Sequence, residues 1–313
     1  MRIFLLWLLL LLPVPAETLF LDQAEGTRLY YYYDPPARKG PLLVILQGSE
    51  CLRVSDKYAP YISALNEQGI GVLRVEKPGL APDTPVGQCP PAYLQRNTLE
   101  RRIWDLLSVL GEMRKRSEWD GRLAILGGSE GAMLAGLSAP LIPETKAVVL
   151  ISGGGGDSFA EEIVQMMSSQ GAPPAQTEQF LALCRQSHIE PSTTKEWGSD
   201  GKLARNTHLW LSRAEDLTLY RPLLRVDAPI LVIHGGQDKS TPVHSAQRLK
   251  QIFAEAGKTN LELRIEAEDG HGPSADSMRR TLDWVITRLR PEMSPSLRQP
   301  GPAHSTTRPN EPG

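Results

Sequence analysis

Three residues carry the chemistry that can be read from this chain, and each follows a strand-like stretch. Ser129 is the centre of Gly127-Gly128-Ser129-Glu130-Gly131, a G-x-S-x-G sequence between an apolar run (residues 123–126) and helix formers (residues 132–135). A strand-to-helix turn this tight strains the serine backbone and exposes its hydroxyl, and the flanking glycines avoid collisions with strand and helix. The helix that follows points its positive end at charge developing beside the serine. A hydroxyl becomes a useful nucleophile only when a base takes its proton and an acid orients that base. Asp238 follows the buried run 229–234 through a glycine turn, with a helix beginning beyond Pro242. His271 lies in Glu268-Asp269-Gly270-His271-Gly272-Pro273, between the last strand and the last helix. Nucleophile, acid and base in this order would support acyl transfer through a covalent intermediate.

Other residues fit these roles less well. His234 ends a strand and reads as a satisfied core histidine, and His244 belongs to the next helix. His188 and His208 fall in the expected cap at about 153–220, and His304 in the expected tail. Asp157 is the runner-up acid, and Asp269 is expected to shape the turn before His271.

Strands that would position the three residues recur along the chain. An early strand is expected at 29–33, where a tyrosine cluster suits sheet packing, and continuous apolar strands at 41–46, 69–75 and 146–152. Further strands are expected at 229–234 and 261–265, with helices at 58–66, 97–116, 243–256 and 275–289. In the second helix Leu99, Ile103, Leu106, Leu107, Leu110 and Met113 mark a buried stripe, and Asn97 with Glu100 fits an N-terminal cap. Arg101, Arg102, Arg114, Lys115 and Arg116 read as its solvated face. The Pro- and Gly-rich loop 76–91 is expected at the surface. The alternation predicts an α/β protein, a doubly wound and mostly parallel sheet, with a helical cap inserted at about 153–220 that lacks strand character.

With these elements in place the chain resembles the α/β-hydrolase superfamily, in particular exported serine hydrolases grouped with serine aminopeptidases and dipeptidyl-peptidase-like enzymes. The resemblance is carried by residues 127–131, by 234–238 with Thr241-Pro242, and by Gly270-His271-Gly272, within a framework from about 42 to 289. It implies Ser129 as nucleophile, Asp238 as acid and His271 as base. It also implies an oxyanion hole from the backbone N–H groups of Glu130 and Ser49. Many relatives open the oxyanion loop with His-Gly where this chain has Gln47-Gly48, and Gln47 can still hydrogen-bond within the loop. Lys77 and Glu76 are read as structural turn residues that could also touch substrate.

Composition sets the remaining bounds. The chain has 313 residues, 41% hydrophobic and 22% charged, with a formal charge of −2. That balance gives no reason to expect nucleic acid or an anionic membrane as partner. A basic start, a leucine-rich run and Pro13-Val14-Pro15-Ala16 read as a signal peptide over 1–16, so the mature chain is expected to be secreted or periplasmic, without a stable anchor. The hydrolase domain is expected over 17–290 and a disordered tail over 291–313. In an exported chain Cys51 and Cys89, both after strands at one end of a parallel sheet, are expected to form a disulfide, leaving Cys184 as a buried thiol.

No cofactor motif or metal-ligand cluster is evident. The glycine run 153–156 is not in a nucleotide-binding pattern. The expected substrate is a small-molecule ester or a short peptide. Glu161 and Glu162 read as surface charge, or as one acid that binds a peptide amino terminus. Trp197, Trp210, Met166 and Met167 line an apolar acyl pocket or pack the cap. The alternative to an enzyme is a catalytically silent binding module on the same fold.

Overall fold

The computed structural model describes residues 16–54, 59–197 and 206–290. The expected tail, and all of the expected leader except Ala16, lie outside those residues. The described residues open with β1 (Glu17–Asp22) and β2 (Arg28–Asp34), followed by β3 (Gly40–Leu46), α1 (Ala59–Glu67) and β4 (Gly71–Val75). Next come α2 (Pro91–Arg96), α3 (Leu99–Met113), β5 (Trp119–Gly128), α4 (Glu130–Ser138) and β6 (Thr145–Ile151). A largely helical stretch then holds α5 (Phe159–Ser169), α6 (Pro174–Ile189), the two-residue strands β7 (Glu196–Trp197) and β8 (Asn206–Thr207), α7 (His208–Ala214) and α8 (Tyr220–Leu223). Finally β9 (Ile230–Gly235), α9 (Val243–Glu255), β10 (Leu261–Glu266) and α10 (Ala275–Leu289) complete the described chain.

Among the described residues eight strands form one sheet in the order β1-β2-β4-β3-β5-β6-β9-β10. From β4 to β10 the pairs are parallel, whereas β2 runs antiparallel to both β1 and β4. The mostly parallel α/β sheet expected from the sequence is therefore present. The continuous apolar strands are explained by burial on both faces. Leu42, Val44, Leu123, Ile125, Val148, Leu150, Ile230 and Val232 share one core with α3, α4 and α9. Their alternates Leu43, Ile45, Ala124, Leu126, Val149, Ile151, Leu231 and Ile233 share the opposite core with α1 and α10.

The differences from the sequence reading are local. The first strand, β1, lies outside the expected strands; it pairs with the edge of β2, whose Tyr31, Tyr32 and Tyr33 are buried. Thr98, not Asn97, caps α3, accepting from the Arg101 N–H at 3.2 Å, because Asn97 already ends α2. Loop 76–91 is not wholly at the surface, since Glu76, Lys77 and Leu80 are buried. The stretch between β6 and β9 has slight strand character after all: β7 and β8 pair antiparallel.

Parallel pairing brings the carboxyl ends of β3, β5, β6, β9 and β10 to one edge, where sites of open α/β sheets form. At that edge the turn after β5 touches its neighbours through bare backbone. A Cβ on Gly127 would lie 1.9 Å from the Gly131 carbonyl oxygen, and one on Gly131 would lie 2.0 Å from that of Leu46. A Cβ on Gly111 in α3 would meet nothing within 4 Å. Two alanine substitutions are therefore expected to act in opposite directions. Gly131→Ala should destabilise by about 1–3 kcal/mol or more through overpacking. Gly111→Ala should stabilise by about 0.5–1 kcal/mol by relieving the helix of a glycine. Urea unfolding of both variants measures the signs.

Candidate active site

Ser129 follows β5 directly, with φ 55° and ψ −125°. This left-handed backbone is strained by about 1–3 kcal/mol for a residue with a Cβ. Its neighbours hold it there: the Ser129 N–H donates to the Ile151 carbonyl at 2.9 Å, and its own carbonyl accepts from the Ala132 N–H at 2.8 Å. A Cβ on Gly48 would lie 3.3 Å from the Ser129 Cβ, so the loop after β3 passes immediately beside the serine.

Asp238 and His271 are brought together. His271 Nδ1 lies 3.0 and 3.1 Å from the two Asp238 carboxylate oxygens. Asp238 Oδ1 also accepts from the Ser240 and Thr241 N–H groups at 2.8 and 3.0 Å. Burial pushes the Asp238 pKa up, but the hydrogen bonds from His271, Ser240 and Thr241 outweigh it and hold the carboxylate below its ordinary value. With Nδ1–H donating to Asp238, the lone pair of His271 is on Nε2. The two loops are in direct contact, since a Cβ on Gly235 would lie 2.0 Å from the Gly270 carbonyl oxygen.

The alternative residues hold other positions. His234 is fully buried behind the acid, with Nε2 3.0 Å from the Thr241 carbonyl and 3.4 Å from Asp238 Oδ2, and burial lowers its pKa. Asp157 pairs with Arg248 at 3.0 Å and receives Gln165 Nε2 at 3.2 Å. Asp269 accepts from the Ser274 N–H at 3.0 Å, which shapes the entry to α10. The cap group His188, Glu215 and Asp216 brings three ligand atoms within 4.8 Å of one another, an arrangement the sequence reading did not anticipate. His188 there already pairs with Glu215, and none of the three lines the cavity over Ser129.

The loop after β3, which holds Ser49, is clamped from several sides. Gln47 Nε2 donates to the Leu52 carbonyl at 2.8 Å and reaches Glu76 Oε1 at 3.4 Å. Glu76 accepts from the Val54 N–H at 2.9 Å, and Lys77 Nζ donates to the Glu50 carbonyl. Glu76 and Lys77 are thus buried structural residues, and neither lines the cavity. Cys51 and Cys89 are joined by a disulfide with Cα atoms 5.3 Å apart, and Cys184 is a buried free thiol. Burial pushes the Cys184 pKa up to about 12.

One expectation is overturned here: Arg102 is not on a solvated face. It is buried, donates from Nη2 to the Gln47 carbonyl at 2.8 Å, and forms an ion pair with Glu130. Its spacing held the clue. Arg102 stands three residues after Leu99 and four before Leu106, inside the buried stripe.

A cavity of about 260 Å³ lies over Ser129. Its polar wall includes Ser49, Ser152, Glu162, Asn206, Ser240 and Thr241, and its apolar wall Met133, Phe159, Ile163, Trp197 and Trp210. Phe159 packs edge-on against Trp197 and Trp210, with ring centroids 5.8 and 5.2 Å away. Met166 and Met167 are not on this wall. The surface-charge reading of Glu162 also fails. Its carboxylate is buried, accepting from the Gly155 N–H at 2.8 Å and from the Ser245 hydroxyl. Burial pushes its pKa up to about 7. Glu161 instead completes a capping box with Ser158.

Comparison with known proteins agrees with this architecture. The prolyl oligopeptidase family model matches residues 179–290, less than half of the chain. No curated protein sequence matches. Similar solved structures include Est1E from Butyrivibrio proteoclasticus, at TM-score 0.60 and 17% identity, covering 87% of this chain and 98% of that one. The α/β hydrolase GrgF from Penicillium sp. sh18 aligns at TM-score 0.62 and 12% identity, over 88% of this chain and 99% of that one. A Mycobacterium tuberculosis puromycin-hydrolyzing peptidase aligns at TM-score 0.63 and 19% identity, over 88% of this chain but 38% of its own. The chain has the α/β-hydrolase fold.

Proposed function

We propose that the chain is an exported serine hydrolase that cleaves small carboxylic esters or peptide amides through an acyl-enzyme on Ser129. The observation that carries this reading is the Asp238–His271 hydrogen bond at the sheet edge that also presents the strained Ser129. In this mechanism His271 Nε2 takes the Ser129 proton as Oγ attacks the substrate carbonyl, and Asp238 stabilises the imidazolium that forms. The N–H groups of Glu130 and Ser49 receive the oxyanion. Collapse expels the leaving group, protonated by His271, and a water activated by the same imidazole hydrolyses the acyl-enzyme. The aromatic wall of Phe159, Trp197 and Trp210 suits a compact apolar or aromatic acyl group. Export is supported by the Cys51–Cys89 disulfide. Among the described residues no helix is long and apolar enough to cross a membrane.

One observation favours a peptide with a free amino terminus: Glu162 places an acidic residue on the wall of the cavity over Ser129. Ionised, it would pair with an ammonium group. Glu162→Gln should then raise KM for aminoacyl p-nitroanilides while leaving p-nitrophenyl acetate unchanged. Equal effects on both would remove the peptide reading.

The central test is covalent. A fluorophosphonate should label the protein, and Ser129→Ala should abolish labelling; a folded wild type that stays unlabelled refutes a serine hydrolase. His271→Ala should lower kcat by about three orders of magnitude or more, and Asp238→Asn by somewhat less. Asp157→Asn should remain near wild type, and the reverse pattern would reassign the acid.

Glu162 also predicts a pH effect on stability. Its pKa is about 7 in the folded protein against an ordinary 4.5. Between these values the folded state binds a proton that the unfolded state has released, so stability falls as pH rises. Relative to Glu162→Gln, the wild type should lose Tm between pH 5 and pH 8, and parallel Tm curves would contradict the burial of an ionisable Glu162.

A further inference from the structure

Acyl transfer needs two N–H donors fixed where the oxyanion forms. On the reading above these belong to Glu130, at the start of α4, and to Ser49, in the loop after β3. The two donors lie on separate segments, so their relative position must be maintained by something that touches both. Arg102 does so: Nη2 donates to the Gln47 carbonyl at 2.8 Å, and Nη1 donates to Glu130 Oε1. Arg102 is only 6% exposed and Glu130 only 4%, so solvent does not compete for either contact. A guanidinium is planar and its donors form a rigid fork, which fixes the separation of the two acceptors it joins.

The loop is held again two residues further on. Tyr93 Oη donates to the Ser49 carbonyl at 2.9 Å and itself accepts from Asn97 Nδ2 at 3.0 Å. The carbonyls of Gln47 and Ser49 are therefore both anchored, on either side of Gly48, the residue with the greatest backbone freedom in the segment. Stability alone is a weak reason for the Arg102–Glu130 pair, because a buried ion pair is often matched or bettered by apolar side chains of similar volume.

We propose that Arg102 is a positioning residue for the oxyanion hole. Its fork holds the Gln47–Ser49 backbone in register with the Glu130 end of α4, and it makes no contact with substrate. The proposal rests on the serine-hydrolase reading and assigns this chain an element of that site outside the triad.

Two variants test it. Arg102→Lys keeps a charge that can pair with Glu130 but loses the fork. Arg102→Met combined with Glu130→Met removes both charges and leaves neither buried alone. End-point labelling with a fluorophosphonate counts competent sites, so kcat is expressed per reactive Ser129. Both variants should fold and label to completion. Their kcat on a p-nitrophenyl ester should fall about 10- to 100-fold, the scale of a misplacement near 1 Å, with KM close to wild type. Affinity for a trifluoromethyl ketone, whose adduct carries an oxyanion, should fall by a similar factor. Wild-type kcat per labelled site in both variants overturns the proposal. Failure of both to fold overturns it as well, by assigning the pair to stability. An unlabelled wild type refutes instead the reading on which the proposal rests.

Discussion

The closeness of backbone to backbone around Gly131 is the constraint on which the active edge depends. The start of α4 lies against the end of β3 with no room for a Cβ, and Gly127 lies equally close beneath Gly131. This contact draws Ser129 into its left-handed conformation and sets the loop after β3 beside the serine. Strain of this kind persists only when the surroundings over-determine it. Here they do. The core residues of β5 are buried, Ala132, Met133, Leu134 and Ala135 bury much of α4, and the Ser129 N–H is bonded to the next strand. An element buried all round has no solvent-facing side toward which to relax.

Charge is buried at this edge to an extent that packing alone does not require. Arg102, Glu130, Glu76 and Lys77 are all shielded from water around the loop after β3. Removing such groups from water is costly, and their mutual attraction compensates only where the geometry is good and the remaining donors are satisfied. Their partners are mainly main-chain groups of that loop: the carbonyls of Gln47 and Glu50 and the N–H of Val54. A main-chain segment without regular secondary structure is thereby given the rigidity that a strand or helix would have supplied.

Most of the fold was legible because parallel strands buried on both faces read as unbroken apolar runs, and the helices between them showed periodic stripes. The candidate triad was legible for a related reason: each member lies just beyond such a run, so chain order and strand ends sufficed to nominate it. What stayed hidden were residues whose meaning depends on distant partners. Arg102 looked like one basic residue among several until Glu130, 28 residues away, was placed beside it. Glu162 and Glu161 were indistinguishable in sequence, yet one caps its own helix and the other meets Ser245, 83 residues on. The strand β1 is faint in the sequence because an edge strand with alternating exposure gives a weaker signal than a central one.

The glycine run at 153–156 acquires its meaning from the same long-range logic. The N–H groups of Gly155, Gly156 and Asp157 converge on the Ser245 hydroxyl oxygen at 3.0–3.1 Å, and that hydroxyl donates to Glu162. Gly154 and Gly155 adopt φ of 59° and 111°, which suit glycine, and a Cβ on Gly156 would lie 2.4 Å from the Ser245 carbonyl. The segment leaving β6 is therefore fastened to α9, the helix that begins just after the Asp238 loop. Glu162, on the first helix of the inserted stretch, is held by the same serine. The Ser240–Thr241 segment of the Asp238 loop forms another part of the cavity wall. The glycines thus let one serine join the inserted helix to the acid-bearing side of the sheet, so the wall over Ser129 and the loop that orients His271 are positioned by a common element.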